Sequence, residues 1–588
     1  MNLWPRLEGR NDEEIAGMKR VRFVVGSISA TAAAAALASD GCSSNVSNPI
    51  VNGEAVDSYT LQVQYATTRF GKYVLRTRTY GGRTYGPMVE TRPGHQLRMR
   101  IVNHLPPNLH AQPPARPVRI PKPRSMAEAM MGDRVPTQMS ATAISKMNNP
   151  HAFNTTNLHV HGVQTIPHIF SPLGTSNPAA TMIAIDPGKS FEYPFPIPAN
   201  HPSGLYWYHP HHHGATDVQI SGGMAGLLVI RGPIDDVPEI AAAREIFLVV
   251  QTLQVNATPG KRNHFELEPI AYQPPDKGGY SLGTSYVMMT VNGQGVNWQD
   301  FTKVSTGDFT QLPPPEFSMR PGEVVRLRML TGTNTLVLPL VLPGMDVFQI
   351  GVDGVNFLQP ELLAQRGTKL VTPHNLFDGS TIVAASANRN ELLIRAPKTP
   401  GTFTLSAVAN DGISFQAWPK FELARFVVSG SPVQMGIPQS LPIPTREYPL
   451  VSPQEVVARR TITFTDGPTK VILTGFAFYI NGELYDEMKC SAFPKVGTAE
   501  EWTIENHTLM CGHPFHLHDN SVQVYEINGK PVDPVLVCDT IFVPPKVNGV
   551  PGRVKFRVRF QEFTGKTVYH CHITPHEDTG MMQNILMT

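Results

Sequence analysis

The stretch Arg92-Pro93-Gly94-His95-Gln96-Leu97-Arg98-Met99-Arg100-Ile101-Val102 joins a turn to a strand. Pro-Gly favours a tight turn, and the alternation of apolar and polar residues after it is typical of a strand with one buried face and one wet face. The same order returns at residues 320–330 and, more faintly, at residues 496–504. Because such widely separated copies do not fit a solenoid of short repeats, they predict three repeated β domains.

The composition favours an all-β chain. Of 588 residues, 54 are proline and 48 are glycine, and only 16% are charged, which suits strands and turns better than long helices. The 49 Lys and Arg residues nearly balance the 47 Asp and Glu residues, and the formal net charge is +2. Because so small a net charge creates no strong electrostatic field around the protein, we expect it to bind neither nucleic acid nor an anionic membrane. We expect a monomer that recognises its partner at a local site.

The N-terminal region predicts export. Basic residues at 19–22 precede an alanine-rich apolar run over residues 23–38, and Ala36-Leu37-Ala38 matches a small-x-small cleavage site. An N-terminal helix is the alternative interpretation. We expect residues 1–45 to be an export signal and a disordered N-terminus, and the mature chain to be periplasmic or extracellular. Lipid anchoring through Cys42 is disfavoured by the residues before it, and no later apolar run is long enough for a transmembrane segment.

Proline-rich stretches at residues 231–238 and 430–453 are the expected linkers. They predict domains over residues 50–232, 239–430 and 450–588. The first domain contains an insertion over residues 106–150 that is rich in proline, arginine and methionine. Thioethers are soft ligands suited to Cu(I), whereas a long loop or lid with core-filling methionines is the simpler interpretation.

Histidine is abundant, with 21 copies, and ten of them are candidate metal ligands in four clusters. The clusters contain His159 and His161, then His209 and His211, then His513, His516 and His518, and finally His570, His572 and His576. Because residues i and i+2 of a strand project to the same face, each His-x-His pair presents two imidazoles side by side. Four pairs supply eight imidazoles, which is too many for one tetrahedral zinc ion. Imidazole alone does not select among copper, zinc, iron and nickel.

The last cluster selects copper. Cys571 alternates with its two histidine neighbours, so its thiolate faces the other side of the strand, where His513, His576 and Met581 can join it. Two histidines, one cysteine and a weak axial methionine are the ligands of a blue-copper electron-transfer site. The same strand therefore carries both kinds of site, with a short bonded path between them.

In its motifs and their order the chain resembles the multicopper oxidases, the family of laccases, bilirubin oxidases and bacterial copper-resistance oxidases. The four motifs bracket residues 159–581. The resemblance implies an all-β fold of three cupredoxin-like Greek-key β-sandwich domains and four copper ions, one of type 1, one of type 2 and two of type 3. The implied ligands are His513, Cys571, His576 and Met581 for type 1, His159 and His516 for type 2, His161, His209 and His572 for one type 3 ion, and His211, His518 and His570 for the other.

The resemblance also implies an activity. A small reducing substrate, organic or a metal ion, would give up four single electrons at the type 1 site, and O2 would be reduced to water at the trinuclear cluster. Cys571 would carry the electrons and Glu577, directly after His576, is the candidate proton relay. The alternatives are a scaffold that keeps the fold without chemistry and a copper-sequestering tolerance protein without turnover. The complete electron path disfavours both.

One departure from the family pattern concerns proton delivery. Many family members carry an aspartate several residues after the first His-x-His-Gly motif, but here the next acid is Asp186. Either a neutral residue such as Asn177 takes that role or proton delivery is altered. His212 and His213 are expected to be partly exposed histidines beyond the metal strand, with hydrogen bonding to the ligands as the alternative.

Three cysteines have no assigned role, namely Cys490, Cys511 and Cys538. In an exported protein any two of them can pair, and buried free thiols are the alternative. Cys511 lies two residues before His513 and is expected to affect the type 1 environment without being a ligand.

Overall fold

The structure is a computed structural model that describes residues 50–51, 54–108, 147–267, 286–302, 308–363, 382–409, 419–469, 472, 476–509 and 511–588. The predicted export signal, Cys42 and residues 109–146 of the methionine-rich insertion lie outside the described residues. Residues 46–588 form one unit, to which every element below belongs. Among the described helices, none has the length and apolar character needed to cross a bilayer.

Strands dominate the described residues, and short helices occur at the ends of strands. The helical elements are α1 (Thr216–Ile220), α2 (Pro238–Ala241), α3 (Thr574–Asp578) and a 3-10 turn at Pro453–Glu455. The strands of the first sandwich are β1 (Ile50–Val51), β2 (Glu54–Phe70), β3 (Tyr73–Tyr80), β4 (Gly86–Thr91), β5 (Gln96–Asn103), β6 (His159–His161), β7 (Ser190–Pro196), β8 (Gly204–His209) and β9 (Gly226–Ile230).

The second sandwich follows without a break in the sheet. Its strands are β10 (Arg244–Ala257), β11 (His264–Glu266), β12 (Tyr286–Val291), β13 (Gln294–Asp300), β14 (Asp308–Gln311), β15 (Glu316–Met319), β16 (Val324–Gly332), β17 (Val337–Val341), β18 (Asp346–Val352), β19 (Val355–Leu362), β20 (Ile382–Ala385), β21 (Arg389–Arg395), β22 (Gly401–Ala407) and β23 (Phe421–Val428). Strand β11 pairs with both β3 and β10, and so joins the first two sandwiches.

The third sandwich carries two of the four histidine clusters. Its strands are β24 (Val456–Pro468), β25 (Phe476–Ile480), β26 (Cys490–Ala492), β27 (Ala499–Asn506), β28 (His513–Leu517), β29 (Val522–Ile527), β30 (Lys530–Cys538), β31 (Thr540–Val543), β32 (Gly552–Arg559), β33 (Gly565–Cys571) and β34 (Met582–Met587). One sheet has the order β25-β24-β27-β32-β29-β30 and the other β26-β34-β33-β28-β31.

Each sandwich buries its own core between two sheets. In the first, β3-β2-β5-β7 packs on β4-β9-β8-β6. In the second, the sheet around β10, β16 and β21 packs on β15-β23-β22-β17-β20. In the third, Trp502 and Phe556 of one sheet pack with Phe515 and Tyr569 of the other. The fold class predicted from the sequence, an all-β chain of three cupredoxin-like sandwiches, is confirmed.

The three turn-and-strand repeats occupy equivalent places. They form β5, β16 and β27, which pair in parallel with β2, β10 and β24, the long opening strands of the three sandwiches. The turn glycines Gly94, Gly322 and Gly497 all have positive φ, of 80°, 77° and 82°. That conformation is open to glycine at little cost, which explains why the turn recurs.

The sequence predicts that the second repeat has one solvent-exposed face, and this prediction is wrong. Strands β5 and β27 alternate between buried and more exposed residues, but β16 is buried throughout. Its polar face carries Arg326 and Arg328, whose guanidinium groups lie 2.5 and 2.8 Å from the carboxylate of Glu391 on β21. Paired charges can be buried where isolated ones cannot, so the alternation of residue types survives while the exposure does not.

Candidate metal centre

Strand pairing places the histidine motifs opposite one another. On β6 and β8, His159 is directly opposite His209, and on β28 and β33, His516 is directly opposite His570. The first pair belongs to the first sandwich and the second pair to the third. Apolar residues beside them join the two sandwiches, with Phe170 and Met182 of the first packed against Tyr485, Val568 and Met582 of the third. The two motif-bearing edges therefore meet at one interface.

Eight histidines from both sandwiches converge there. His211, His518 and His570 form one group, with the Nε2 atom of His570 3.2 Å from that of His211 and 3.1 Å from that of His518. His161 and His209 approach to 3.4 Å between Nδ1 and Nε2, and the ring centroid of His572 lies 5.0 and 5.3 Å from theirs. These are the two triads predicted for the type 3 ions.

His159 and His516 are the two predicted type 2 ligands. Their ring centroids lie 5.7 Å apart, and each stacks on a neighbour from the other sandwich, His159 on His518 at 3.9 Å and His516 on His161 at 3.7 Å. Together with His518 they form one of the groups whose ligand atoms lie within 4.8 Å of one another. The predicted type 2 pair therefore lies between the two predicted type 3 triads.

The donor set fits copper. Among the described residues, the Nε2 atoms of His159 and His516 and both ring nitrogens of His572 are buried without a hydrogen-bond partner. Buried polar atoms without partners are costly, and a metal ion at these nitrogens would satisfy them. Imidazole, thiolate and thioether together suit copper.

Burial also keeps the histidines in the state that binds metal. It lowers the pKa of all ten predicted histidine ligands below the ordinary value, because desolvation disfavours the charged imidazolium. The pKa falls to about 4 for His211 and His570, to about 3 for His513 and His516, and well below the ordinary value for His159, His161, His209, His518, His572 and His576. Neutral imidazoles offer a lone pair to a metal without first losing a proton.

The predicted type 1 ligands gather on the opposite side of β33. The Sγ atom of Cys571 lies 3.3 Å from Nδ1 of His513 and 3.9 Å from Nδ1 of His576. Met581 is fully buried, and its backbone oxygen accepts a hydrogen bond from the Cys571 amide. Burial raises the pKa of the Cys571 thiol, so a bound metal ion would have to displace its proton.

The far side of each type 1 histidine is covered. The Nε2 atom of His513 lies 3.0 Å from the Thr508 hydroxyl and 3.9 Å from Sγ of Cys511, which places Cys511 near the site, as the sequence predicts. The ring of His576 stacks on Phe478 with centroids 3.6 Å apart. Both imidazole rings are therefore held by contacts besides those to Cys571.

Asp539 is a functional candidate that sequence reasoning missed. Its Oδ1 atom lies 3.0 Å from Nε2 of His161, and its carboxylate is paired with the Arg389 guanidinium from the second sandwich, with Nη1 of Arg389 3.0 Å from Oδ1. A carboxylate at one ring nitrogen orients the imidazole and leaves Nδ1 of His161 for a metal. The one available signal was a lone acid within the apolar run of residues 535–543, since such an acid is rarely buried unless paired.

This ion pair explains the glycine of the first motif. Gly162 has φ of 82°, and a Cβ atom there would lie far inside van der Waals contact with both Oδ2 of Asp539 and Nη2 of Arg389. No side chain can share that space, so residue 162 must lack one to admit the pair. The glycine of His-Val-His-Gly is thus required by a contact among the three sandwiches.

Glu577, the predicted proton relay, is fully buried on α3 beside the cluster. Its carboxylate oxygens lie 3.6 Å from Nδ1 of His211 and 3.1 Å from Nδ1 of His570. Burial raises its pKa, and the nearby His211 partly opposes that rise. The position suits a group that holds a proton near the two imidazoles.

Neither Asn177, the neutral residue proposed to replace the missing aspartate, nor Asp186, the next acid in the sequence, is buried. Asn177 is exposed and its side chain accepts a hydrogen bond from the Ala179 amide, and Asp186 is exposed beside Thr155. His212 is half-exposed as predicted. The prediction is wrong for His213, which is buried and packs against Tyr485 with ring centroids 4.6 Å apart.

The described cysteines are all free thiols. Cys511 and Cys538 are buried and Cys490 is half-buried, and none of the three is paired within the described part of the chain. Burial raises the pKa of Cys511 to about 12. The alternative of buried free thiols therefore holds for two of the three.

The chain matches a known protein family in two regions. Residues 125–234 and residues 453–588 each match a family model described as multicopper oxidase, and these two regions contain all twelve predicted ligands. The multicopper oxidase mco of Staphylococcus haemolyticus is 24% identical over 537 residues, covering 90% of this chain and 88% of that protein. A laccase of Bacillus subtilis is 23% identical over 421 residues, covering 65% and 70%.

Solved structures show the same fold. A multicopper oxidase from Campylobacter jejuni, a metallo-oxidase, superposes with a TM-score of 0.62 at 21% identity, covering 90% of this chain and 91% of that one. The McoA multicopper oxidase of Aquifex aeolicus gives a TM-score of 0.61 at 20% identity, covering 90% and 96%. The fold and the buried histidine clusters define a copper-binding cupredoxin protein. This chain belongs to the multicopper oxidase family and is a copper-dependent oxidoreductase.

Proposed function

We propose that this oxidoreductase couples the one-electron oxidation of a small reducing substrate to the reduction of O2 to water. One copper ion of type 1 would be held by His513, Cys571, His576 and Met581, and three more by the eight clustered histidines. When bound, the copper ions supply the redox chemistry, taking four electrons singly and delivering them to O2.

The observation that carries the proposal is the double role of β33 and the residue after it. Cys571 lies with His513 and His576 on one side, while His570 and His572, its covalent neighbours, face the histidine cluster on the other. The chain's own bonds thus join a site that receives electrons to a site that can use them.

The protein contributes geometry and exclusion of water. All ten histidines and Cys571 are buried, so the site excludes bulk water. Asp539 orients His161, and Glu577 holds a proton within reach of His211 and His570. The reducing substrate is proposed to be either a phenol or aromatic amine, as in a laccase, or Cu(I) or Fe(II), as in a metallo-oxidase. We further propose that the chain acts after export.

The direct test is Cys571→Ser in purified, copper-reconstituted protein. We expect the parent protein to show a blue charge-transfer band and O2 uptake with a phenol or with Cu(I). The variant should lose both, because serine cannot supply a thiolate, and it should keep the thermal unfolding transition of the parent metal-free protein. Turnover in the serine variant, or a colourless parent without O2 uptake, would contradict the proposal.

A further inference from the structure

We propose that His168 is a positioning residue for the type 2 copper ligand His159. The inference rests on the proposed function, because it concerns the copper ion that His159 would hold. His168 lies in the loop after β6, seven residues beyond His161, and is 1% exposed. It belongs to none of the ligand groups of the metal centre.

The contact between the two imidazoles is direct. The Nε2 atom of His168 lies 2.9 Å from Nδ1 of His159, with the ring planes 12° apart. The ring of His168 is held edge-on against Phe195 at 5.1 Å. His168 therefore contacts His159 at Nδ1, the ring nitrogen that does not face the other cluster histidines.

Backbone groups fix the hydrogen positions of His168. The Val160 amide donates to its Nε2 atom at 3.2 Å, so that nitrogen is an acceptor. Its Nδ1 atom lies 3.1 Å from the Ile166 carbonyl oxygen and must carry the hydrogen. It follows that His159 donates from Nδ1 to His168, which leaves the lone pair of His159 on Nε2.

A lone pair on Nε2 of His159 is what a metal ligand needs. The Nε2 atom of His159 is buried without a hydrogen-bond partner among the described residues, and His159 groups with His516 and His518. A hydrogen bond at the outer nitrogen of a ligating imidazole fixes its tautomer and ring orientation and raises its basicity. His168 supplies this bond, with an imidazole nitrogen in place of a carboxylate oxygen.

The third sandwich supports His168 from the opposite side. Asp519, the residue directly after His518, places its Oδ1 atom 3.6 Å from Nδ1 of His168, while the Thr567 hydroxyl donates to its Oδ2 atom at 2.6 Å. The side chains of His168 and Asp519 are each 1% exposed. The loop that carries His168 in the first sandwich thus contacts the segment directly after β28 in the third sandwich.

The test uses the full-length, copper-reconstituted chain with two substitutions at one position. His168→Phe keeps a ring but removes the acceptor, and His168→Gln places an amide oxygen near the former Nε2. We expect the type 2 electron paramagnetic resonance (EPR) signal of His168→Phe to be lost at a chelator concentration about 10- to 100-fold lower than in the parent, the usual effect of removing such a partner. His168→Gln should recover most of that loss, and the blue type 1 band should persist in both.

His201→Phe is the matched control. His201 is also a buried histidine of the first sandwich, and its Nε2 atom accepts a hydrogen bond from a backbone amide, that of Gln164, at 3.0 Å. Its Nδ1 atom lies 2.9 Å from the Pro202 oxygen, so its bonding copies that of His168 except for the contacts with His159 and Asp519. Any general cost of losing a buried histidine appears in both phenylalanine variants.

The outcomes separate the inference from the proposed function. A type 2 signal in His168→Phe as resistant to the chelator as that in His201→Phe overturns the role of His168. If His168→Phe does not fold, His168→Gln decides, because a type 2 signal lost from that variant at a chelator concentration about 10-fold or more below that of the parent would show that an acceptor at this position does not hold His159, and overturns the role as well. A parent protein that binds copper but gives no type 2 signal refutes the four-copper assignment instead.

Discussion

The Nε2 atom of His161 lies 3.0 Å from Oδ1 of Asp539, although the two residues are 378 positions apart and belong to different sandwiches. The second sandwich, which supplies no predicted ligand, completes the arrangement through Arg389, whose guanidinium group holds the carboxylate. Its Asp353 in turn accepts a hydrogen bond from the Arg389 amide at 2.9 Å. All three sandwiches therefore contribute to the contacts around His161, a predicted type 3 ligand. The second sandwich supports the metal centre through Arg389.

Replacing Asp539 by Asn should weaken copper binding at the cluster. The amide keeps the shape but is a poorer acceptor for the His161 ring, so we expect copper affinity to fall about 10- to 100-fold. Copper content per chain after dialysis against graded chelator measures the change, while the blue band reports on the type 1 site. Asp346→Asn, at an exposed ion pair with Arg395, is the control. Equal copper retention in the two variants would show that Asp539 does not support the ligand.

Gly162→Ala should disrupt the same contact through sterics. The new Cβ atom would overlap both Asp539 and Arg389, whereas a Cβ atom at Gly188, where φ is 79°, would have no neighbour within 4 Å. Gly188→Ala therefore carries the strain of positive φ alone, about 1 to 3 kcal/mol. We expect Gly162→Ala to lower the free energy of unfolding by more than this and to lose cluster copper. Equal denaturation midpoints for the two variants would contradict the close packing.

The sequence was sufficient for features that are local. The Pro-Gly turns at Gly94 and Gly322 and the alternation after them predict strands because side-chain direction on a strand depends only on position along the chain. The same rule predicts that Cys571 faces away from His570 and His572. These predictions needed no knowledge of which strands meet.

Other features depend on partners that are distant in sequence. Arg326 and Arg328 have the spacing of a wet strand face, and only the folded position of Glu391 shows that they are buried in ion pairs. His168 and Asp539 bear no fixed spacing to the residues they contact in other sandwiches. A single sequence shows that they are polar residues in apolar surroundings, which signals a buried partner but does not identify it.

Glu577→Gln should slow turnover without preventing electron entry. The amide keeps the size of the side chain but cannot hold and release a proton beside His211 and His570, and loss of such a group typically costs about 100- to 10,000-fold in rate. We expect steady-state O2 uptake to fall by that order, while anaerobic bleaching of the blue band by substrate keeps the parent rate. Glu483→Gln, at an exposed pair with Lys489, is the control. If bleaching slows as much as O2 uptake, Glu577 is not a proton relay.

The buried histidines should make the metal-free protein sensitive to mild acid. In the unfolded chain a histidine titrates near pH 6.5, whereas burial lowers the pKa of His513 to about 3 in the folded protein. Between these values the unfolded state binds the extra proton, so stability is lost as the pH falls from about 6.5 and the loss is complete near pH 3. For His513 alone the loss between pH 7 and pH 5 amounts to about 2 kcal/mol.

His513→Gln in the metal-free protein isolates this contribution. Its free energy of unfolding, measured by denaturant titration, should fall by about 2 kcal/mol less between pH 7 and pH 5 than that of the parent, because glutamine does not titrate. His104→Gln is the control for replacing a histidine by glutamine, since His104 is exposed in the folded protein. The same loss of stability in the His513 variant as in the parent would mean that the buried imidazole at the type 1 site is protonated in the folded state, and therefore that it is not held ready for a metal.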